Sequence, residues 1–271
     1  MRWVAAVFGA LAGAMLVFPQ AAAGAAQHAL SLFAFSIAPV LGPFMVCMLM
    51  LSSRIRGNGA LQLALAWLCG SPGGGKIMLL AQPQGKTALR FSAVSGTMSP
   101  MFFLGAISAW LQSKTAGGMI LLCHLAGAAI LGLILPRGKK GESTSAQPLS
   151  LPGAIRDSAL ALLSIAICMM LGCVSAKMVA CALPRLPDGM GIFLQCALEI
   201  TAGAERIARL DTPLKLPLLC AACSFGGLSL LMQNAAVWQE ASVSMGQLFL
   251  LRLLHAVIAF LLCGLLSWFL T

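Results

Sequence analysis

The residues best suited to chemistry lie in short polar or glycine-rich interruptions of apolar sequence. In Gly70-Ser71-Pro72-Gly73-Gly74-Gly75-Lys76 a lysine follows three glycines, with apolar residues on both sides. An ionisable group at membrane depth is costly, and as a rule it lines a polar cavity or meets a partner. Glycine lets backbone approach a ligand closely. Amides at a broken helix end, together with an ammonium group, suit an anion. The competing reading of Lys76 is a side chain that reaches from a helix end to the membrane interface. Ile77 stands where a phosphate-binding P-loop carries a hydroxyl, so the string is not read as one.

Four further groups complete the candidates. Ser95-Gly96-Thr97-Met98-Ser99-Pro100 places hydroxyls beside a proline, where they can satisfy freed backbone or face a solute. Glu199, in Glu199-Ile200-Thr201-Ala202-Gly203, is an acid among apolar neighbours, suited to ion coupling or to pairing with Lys76. Ser224-Phe225-Gly226-Gly227-Leu228-Ser229 is a second glycine cluster, followed by the amides Gln233 and Asn234. Arg252 and His255 stand three apart on one face of the last apolar run and are expected to anchor it at the interface. Glu205 and Arg209, at i and i+4, are expected to form an ordinary helix pair. His28, His124 and His255 are scattered, and no HExxH, GxSxG or paired-acid motif occurs, so neither an enzyme nor a metal or cofactor site is expected. Cys220 and Cys223 form a CxxC without nearby His or acidic ligands and are read as packing.

The elements that must position these residues follow from composition. Of 271 residues 60% are hydrophobic and 9% charged, too few charges for a water-facing surface. No Asp, Glu, Lys or Arg occurs between Trp3 and Ser53, and further uncharged runs cover 57–75, 91–113, 115–136, 158–176, 216–239 and 253–271. A span needs about 20 mostly apolar residues. The expected fold is therefore an all-α polytopic membrane protein, with continuous spans near 3–19, 29–53, 91–112, 118–136, 157–182 and 247–270. The first apolar run holds two spans with a turn at Pro19–Gln27. The net charge of +10 is assigned to cytoplasmic loops rather than to a nucleic-acid partner.

Residues 59–81 and 214–236 carry glycine clusters mid-segment, and broken backbone at that depth needs a covering of protein or a watery cavity. Both are expected to be interrupted, re-entrant hairpins. The chain divides into an N-terminal helix (1–28, signal-like but expected to stay uncleaved), a first repeat (29–136), a basic cytoplasmic linker (137–156) and a second repeat (157–271). Corresponding broken segments in two halves point to a carrier built from pseudo-repeats, often inverted ones. Arg2, Arg54, Arg56, Lys86, Arg90 and the linker, with Arg137, Lys139, Lys140 and Arg156, are expected on the cytoplasmic side.

At these residues the sequence resembles the YlbJ-type sporulation integral membrane proteins, which carry nucleoside-recognition Gate domains. The similar stretches are Phe18-Pro19, Ala38–Phe44, Gly70–Lys76, Ser99–Gly105, Glu199–Gly203, Phe225–Ser229 with Gln233, and Arg252–His255. Ser71 stands where that family usually has an aromatic residue, and Thr97 and Met98 where asparagines are expected. The resemblance implies transport of dipicolinate across the membrane around the forespore. Sporulation membrane partners or a homo-oligomer would be its associates. The solute site expected from this reading comprises Gly70–Lys76, Ser99, Pro100, Glu199, Thr201, Gly203, Gly226, Gly227, Ser229 and Gln233. A nucleoside-type carrier and a non-transporting scaffold are the alternatives.

Overall fold

The computed structural model describes residues 2–55, 59–136, 138, 148–185 and 187–270. Arg56, Arg137, Lys139 and Lys140, which carry part of the orientation argument, lie outside the described residues. Among the described residues there is no β-strand. Helices α1 (Arg2–Val17) and α2 (Pro19–Leu32) meet at Phe18, and a π-helical stretch (Phe33–Ile37) leads on into α3 (Ala38–Arg54). Then come α4 (Gly59–Cys69), α5 (Gly73–Leu79), α6 (Gly85–Ser95), a second π-helical stretch (Phe102–Ile107), α7 (Ser108–Trp110) and α8 (Lys114–Ile134). The second half runs through α9 (Leu151–Ala182), α10 (Asp188–Leu198), α11 (Ile200–Ala208), α12 (Lys215–Phe225) and α13 (Gly227–Trp238). A 3-10 turn (Gln239–Ala241) then leads to α14 (Met245–Leu270).

Among the described residues, five stretches are long and apolar enough to cross a membrane: Pro19–Arg54, Lys114–Ile134, Leu151–Ala182, Lys215–Ala241 and Met245–Phe269. Their outward faces carry exposed Leu122, Leu133, Leu160, Leu163, Val257 and Leu261, a surface that suits lipid and not water. This is an all-helical chain with the makings of a polytopic membrane protein. Of the apolar clusters among the described residues, the two largest tie distant parts of the chain together. One joins Met45, Leu65, Ile77 and Met78 to Val237 and Trp238, and the other joins Phe103, Ile120 and Cys123 to Cys220, Cys223 and Cys263. Each core draws on both halves of the chain, so the halves interlock.

Besides α1, whose apolar part Ala5–Val17 falls short of the span expected at 3–19, the structure departs from the expected spans at four places. Pro19–Gln27 is helix, not a turn, and belongs to the 36-residue stretch Pro19–Arg54. Proline is tolerated in a first helical turn, and the alanines at 21–23, 25 and 26 are strong helix formers that outweigh Gly24, so the corner is confined to Phe18. The span expected at 91–112 is interrupted, because α6 stops at Ser95 and helix resumes only at Pro100. Helix α9 begins inside the expected linker at Leu151, where the Ser150 hydroxyl accepts from the Gly153 amide at 3.2 Å.

The fourth departure concerns the folded-back pair of the second half. In the first half, a Cβ placed on Gly74 would come 2.5 Å from the Ala66 carbonyl oxygen, so α5 packs back against α4 within 59–81. In the second half, 214–236 lies within the single long stretch Lys215–Ala241, interrupted at Gly226. The pair that doubles back is α10 with α11. A Cβ on Gly203 would lie 2.6 Å from the Cys196 amide nitrogen. The physical reason is that a left-handed glycine can end one helix and start the next without reversing direction. Gly226, at φ 82°, serves as both C-cap of α12 and N-cap of α13.

Candidate functional site

The turn between α4 and α5 is built on Gly70, whose φ of 70° favours glycine. A Cβ there would also strike Ser99, 2.5 Å from its amide nitrogen, so the turn rests directly on the interruption after α6. The Ser71 amide donates to the Thr97 carbonyl at 2.7 Å, and the Ser71–Pro72 peptide is cis. The Ser71 hydroxyl donates to Asn234 Oδ1 at 2.8 Å. That orientation is settled by the other end of the amide, since Asn234 Nδ2 donates to the Leu230 carbonyl at 3.0 Å and a carbonyl only accepts. Pro72, Gly73 and Gly74 are buried behind the turn, and Gly75 faces Val237 and Trp238 closely enough to leave no room for a side chain. Ser99 and Pro100 are half-buried, and the Thr97 hydroxyl beside them is buried without a hydrogen-bond partner.

Lys76 lies one turn further along α5. Its Nζ meets Glu240 Oε1 at 2.8 Å, with the lysine side chain 24% and the glutamate 56% exposed. The pairing with Glu199 raised by the sequence is not formed.

The turn between α10 and α11 is built on Glu199, which has no glycine or proline beside it. Its backbone is extended, at φ −143° and ψ 116°, and its Oε2 accepts from the Ala202 amide at 2.9 Å, so the carboxylate caps α11. Acidic charge at a helix N-terminus is favoured by the peptide dipoles. Gly227, at φ 71°, brings the start of α13 against this turn, and a Cβ there would lie 2.8 Å from the Cys196 carbonyl oxygen. Gly172 of α9 closes it from the other side, with the Leu198 carbonyl 2.8 Å from where its Cβ would be. Gly203 and Ser229 are buried here, Thr201 is half-buried, and Gln233 lies buried one turn along α13 from Ser229. Both turns therefore converge on α13, the first through Asn234 and the second through Gly227.

A cavity of about 490 Å³ opens beside Glu199. Ala21, Gly24 and Ala25 of α2 and Ala176 and Ala180 of α9 leave the space because their side chains are small. Its polar lining is His28, Lys177, Gln195 and Glu199. A neighbouring cavity of about 190 Å³ includes Arg206 and Asp188, and Arg206 Nη1 donates to Gln195 Oε1 at 2.9 Å. Sequence reading does not select Lys177 or His28 for the site. The available signal is the single lysine inside the apolar stretch of α9.

A buried polar network forms where the sequence predicts interfacial anchors. Arg252 and His255 are 2% and 0% exposed. The Arg252 guanidinium donates through Nη1 to the Gly96 carbonyl and through Nη2 to the Ala93 carbonyl, the latter at 2.5 Å. His255 Nε2 lies 2.8 Å from the His124 carbonyl, so that nitrogen carries the proton and Nδ1 faces Arg252 Nη1 at 3.3 Å. His124 Nε2 accepts from the Met98 amide at 3.1 Å, which leaves Nδ1–H to donate to the Ser224 hydroxyl at 2.8 Å. The imidazole centroids are 4.7 Å apart. The correction to the sequence reading has a simple cause: the interruption at 96–99 strips carbonyls and an amide of helical partners, and these side chains replace them.

Arg209 and Glu205 form the expected i, i+4 pair. Compared with known proteins, the chain matches no family model, no curated protein and no solved structure.

Proposed function

We propose that this chain is a Gate-type membrane carrier of a small organic anion, with dipicolinate as the specific candidate and the membrane around the forespore as its place. The observation that carries this reading is the convergence on α13 of two folded-back turns, Gly70–Pro72 and Glu199, each resting on a helix interruption. Non-helical backbone enclosed in this way is a hallmark of carriers whose solute binds between half-helices.

The order of elements supports a pseudo-repeat. Each half has a long helix (Pro19–Arg54; α9), a pair that doubles back (α4–α5; α10–α11), an interrupted helix (α6 with 100–110; α12–α13) and a closing helix (α8; α14). In this reading the doubled-back pairs are re-entrant and meet near mid-membrane.

Ser71, Ser229, Gln233 and Asn234 supply hydrogen bonds to the solute, Ser71 and Asn234 by exchanging each other for it. Lys76 supplies charge by exchanging Glu240 for a solute carboxylate, and Glu199 carries a coupling proton or balances Lys177 across the cavity. The test is flux of labelled dipicolinate into proteoliposomes holding the purified chain. Uptake that unlabelled dipicolinate suppresses and nucleosides do not supports the reading. Suppression by nucleosides moves the substrate class to nucleosides, and absence of flux for either solute removes the carrier reading.

A further inference from the structure

We infer that Arg252 is a tethered cation that occupies the place of a coupling ion at the α6 interruption, so that this interruption neither needs nor admits an alkali cation. Helix α6 ends at Ser95 and leaves its last carbonyls without helical partners, at the negative end of the peptide dipoles. In carriers with broken helices, such C-terminal carbonyls are what coordinate a transported cation. Here the guanidinium takes them: Nη1 on Gly96 and Nη2 on Ala93. The charge is buried at 2% exposure, yet among the described residues the carboxylates in ion pairs face Lys76, Arg156 and Arg209 and none faces Arg252. A buried charge of this kind needs compensation, and the carbonyls of the helix end provide it.

The fit is close. A Cβ on Gly96 would lie 3.0 Å from the Arg252 Cζ and 3.1 Å from both terminal nitrogens, so no space remains between the helix end and the guanidinium. Neutral His255 turns its Nδ1 lone pair toward the same cation. The interruption at Gly226 is closed differently, by its own amide donating to the Ala222 carbonyl at 2.9 Å. Of these two interruptions among the described residues, the one after α6 is the one whose carbonyls meet a side-chain cation.

The consequence for transport rests on the carrier reading, but the ion site itself is read from stability. The full chain, purified in detergent, is melted against added sodium, potassium or guanidinium, with choline holding ionic strength constant. Arg252→Gln should lower Tm by about 5–10 °C and regain most of it, saturably, with millimolar guanidinium, while Arg252→Lys, which keeps the charge but not the two-pronged donor, loses clearly less and shows no cation response. A Gln variant that survives purification only with guanidinium present supports the inference equally. Equal losses in the Lys and Gln variants, or no guanidinium response in the Gln variant, overturn it. Absence of dipicolinate flux in wild type would remove the carrier reading and leave this melting result standing.

Discussion

Ser71 and Asn234, 163 positions apart, share a hydrogen bond of 2.8 Å that ties the α4–α5 turn to α13. Because Asn234 also donates to its own helix at Leu230, the amide is held in one orientation and Ser71 is its donor. Ser71→Ala leaves a buried acceptor unpaired and should destabilise the protein by about 1–3 kcal/mol. A double-mutant cycle with Asn234→Ala, read by thermal melting in detergent, should show coupling of about 1 kcal/mol. Additive losses would mean that the bond contributes nothing of its own.

Gly70 is held by φ and by space at once. Gly70→Ala places a methyl group against the Ser99 backbone and a side chain at φ 70°, so it should cost several kcal/mol, on the order of 3. Gly105→Ala, with nothing within 4 Å of the added carbon, should change stability by no more than about 0.5 kcal/mol. Size-exclusion profiles and melting curves of the two variants make the comparison.

Lys76 and Glu240 form a partly exposed pair, and pairs of this kind contribute about 0–1 kcal/mol. Lys76→Ala should therefore leave membrane insertion and Tm nearly unchanged while abolishing dipicolinate uptake. Glu240→Gln frees the ammonium and should retain uptake. Unchanged uptake in Lys76→Ala would remove this lysine from the mechanism.

The hydrogen-bond directions around His124 and His255 fix their tautomers. Nitrogen-15 chemical shifts should show the proton on Nδ1 of His124 and on Nε2 of His255, with both rings neutral. His124→Phe should destabilise by about 1–3 kcal/mol, because the Met98 amide loses its acceptor. The opposite tautomer at His124 would mean that Met98 is bound some other way.

The first folded-back pair was legible because glycine and proline in Gly70–Gly75 cannot continue a helix through an apolar run. The second was not, because Leu198-Glu199-Ile200 holds no helix breaker and its turn is made by an acid acting as a cap. A capping acid in mid-span and Gly203 four residues on were the only local marks. Conversely, the Gly226-Gly227 cluster looked like a reversal, yet two left-handed glycines there pass the chain onward as a kink.

Alone, the sequence determined the solvent and the class: long uncharged apolar runs admit only helices in lipid, and their polar interruptions mark where backbone must find other partners. Which partners they found was decided by tertiary structure. Arg252 and Gly96 are 156 positions apart, and His255 and His124 are 131 apart. Periodicity carries no information over such separations. A hydrogen bond across them exists only once packing has fixed α14 beside α6 and α8, and that packing turned expected interfacial anchors into a buried clamp on a helix end.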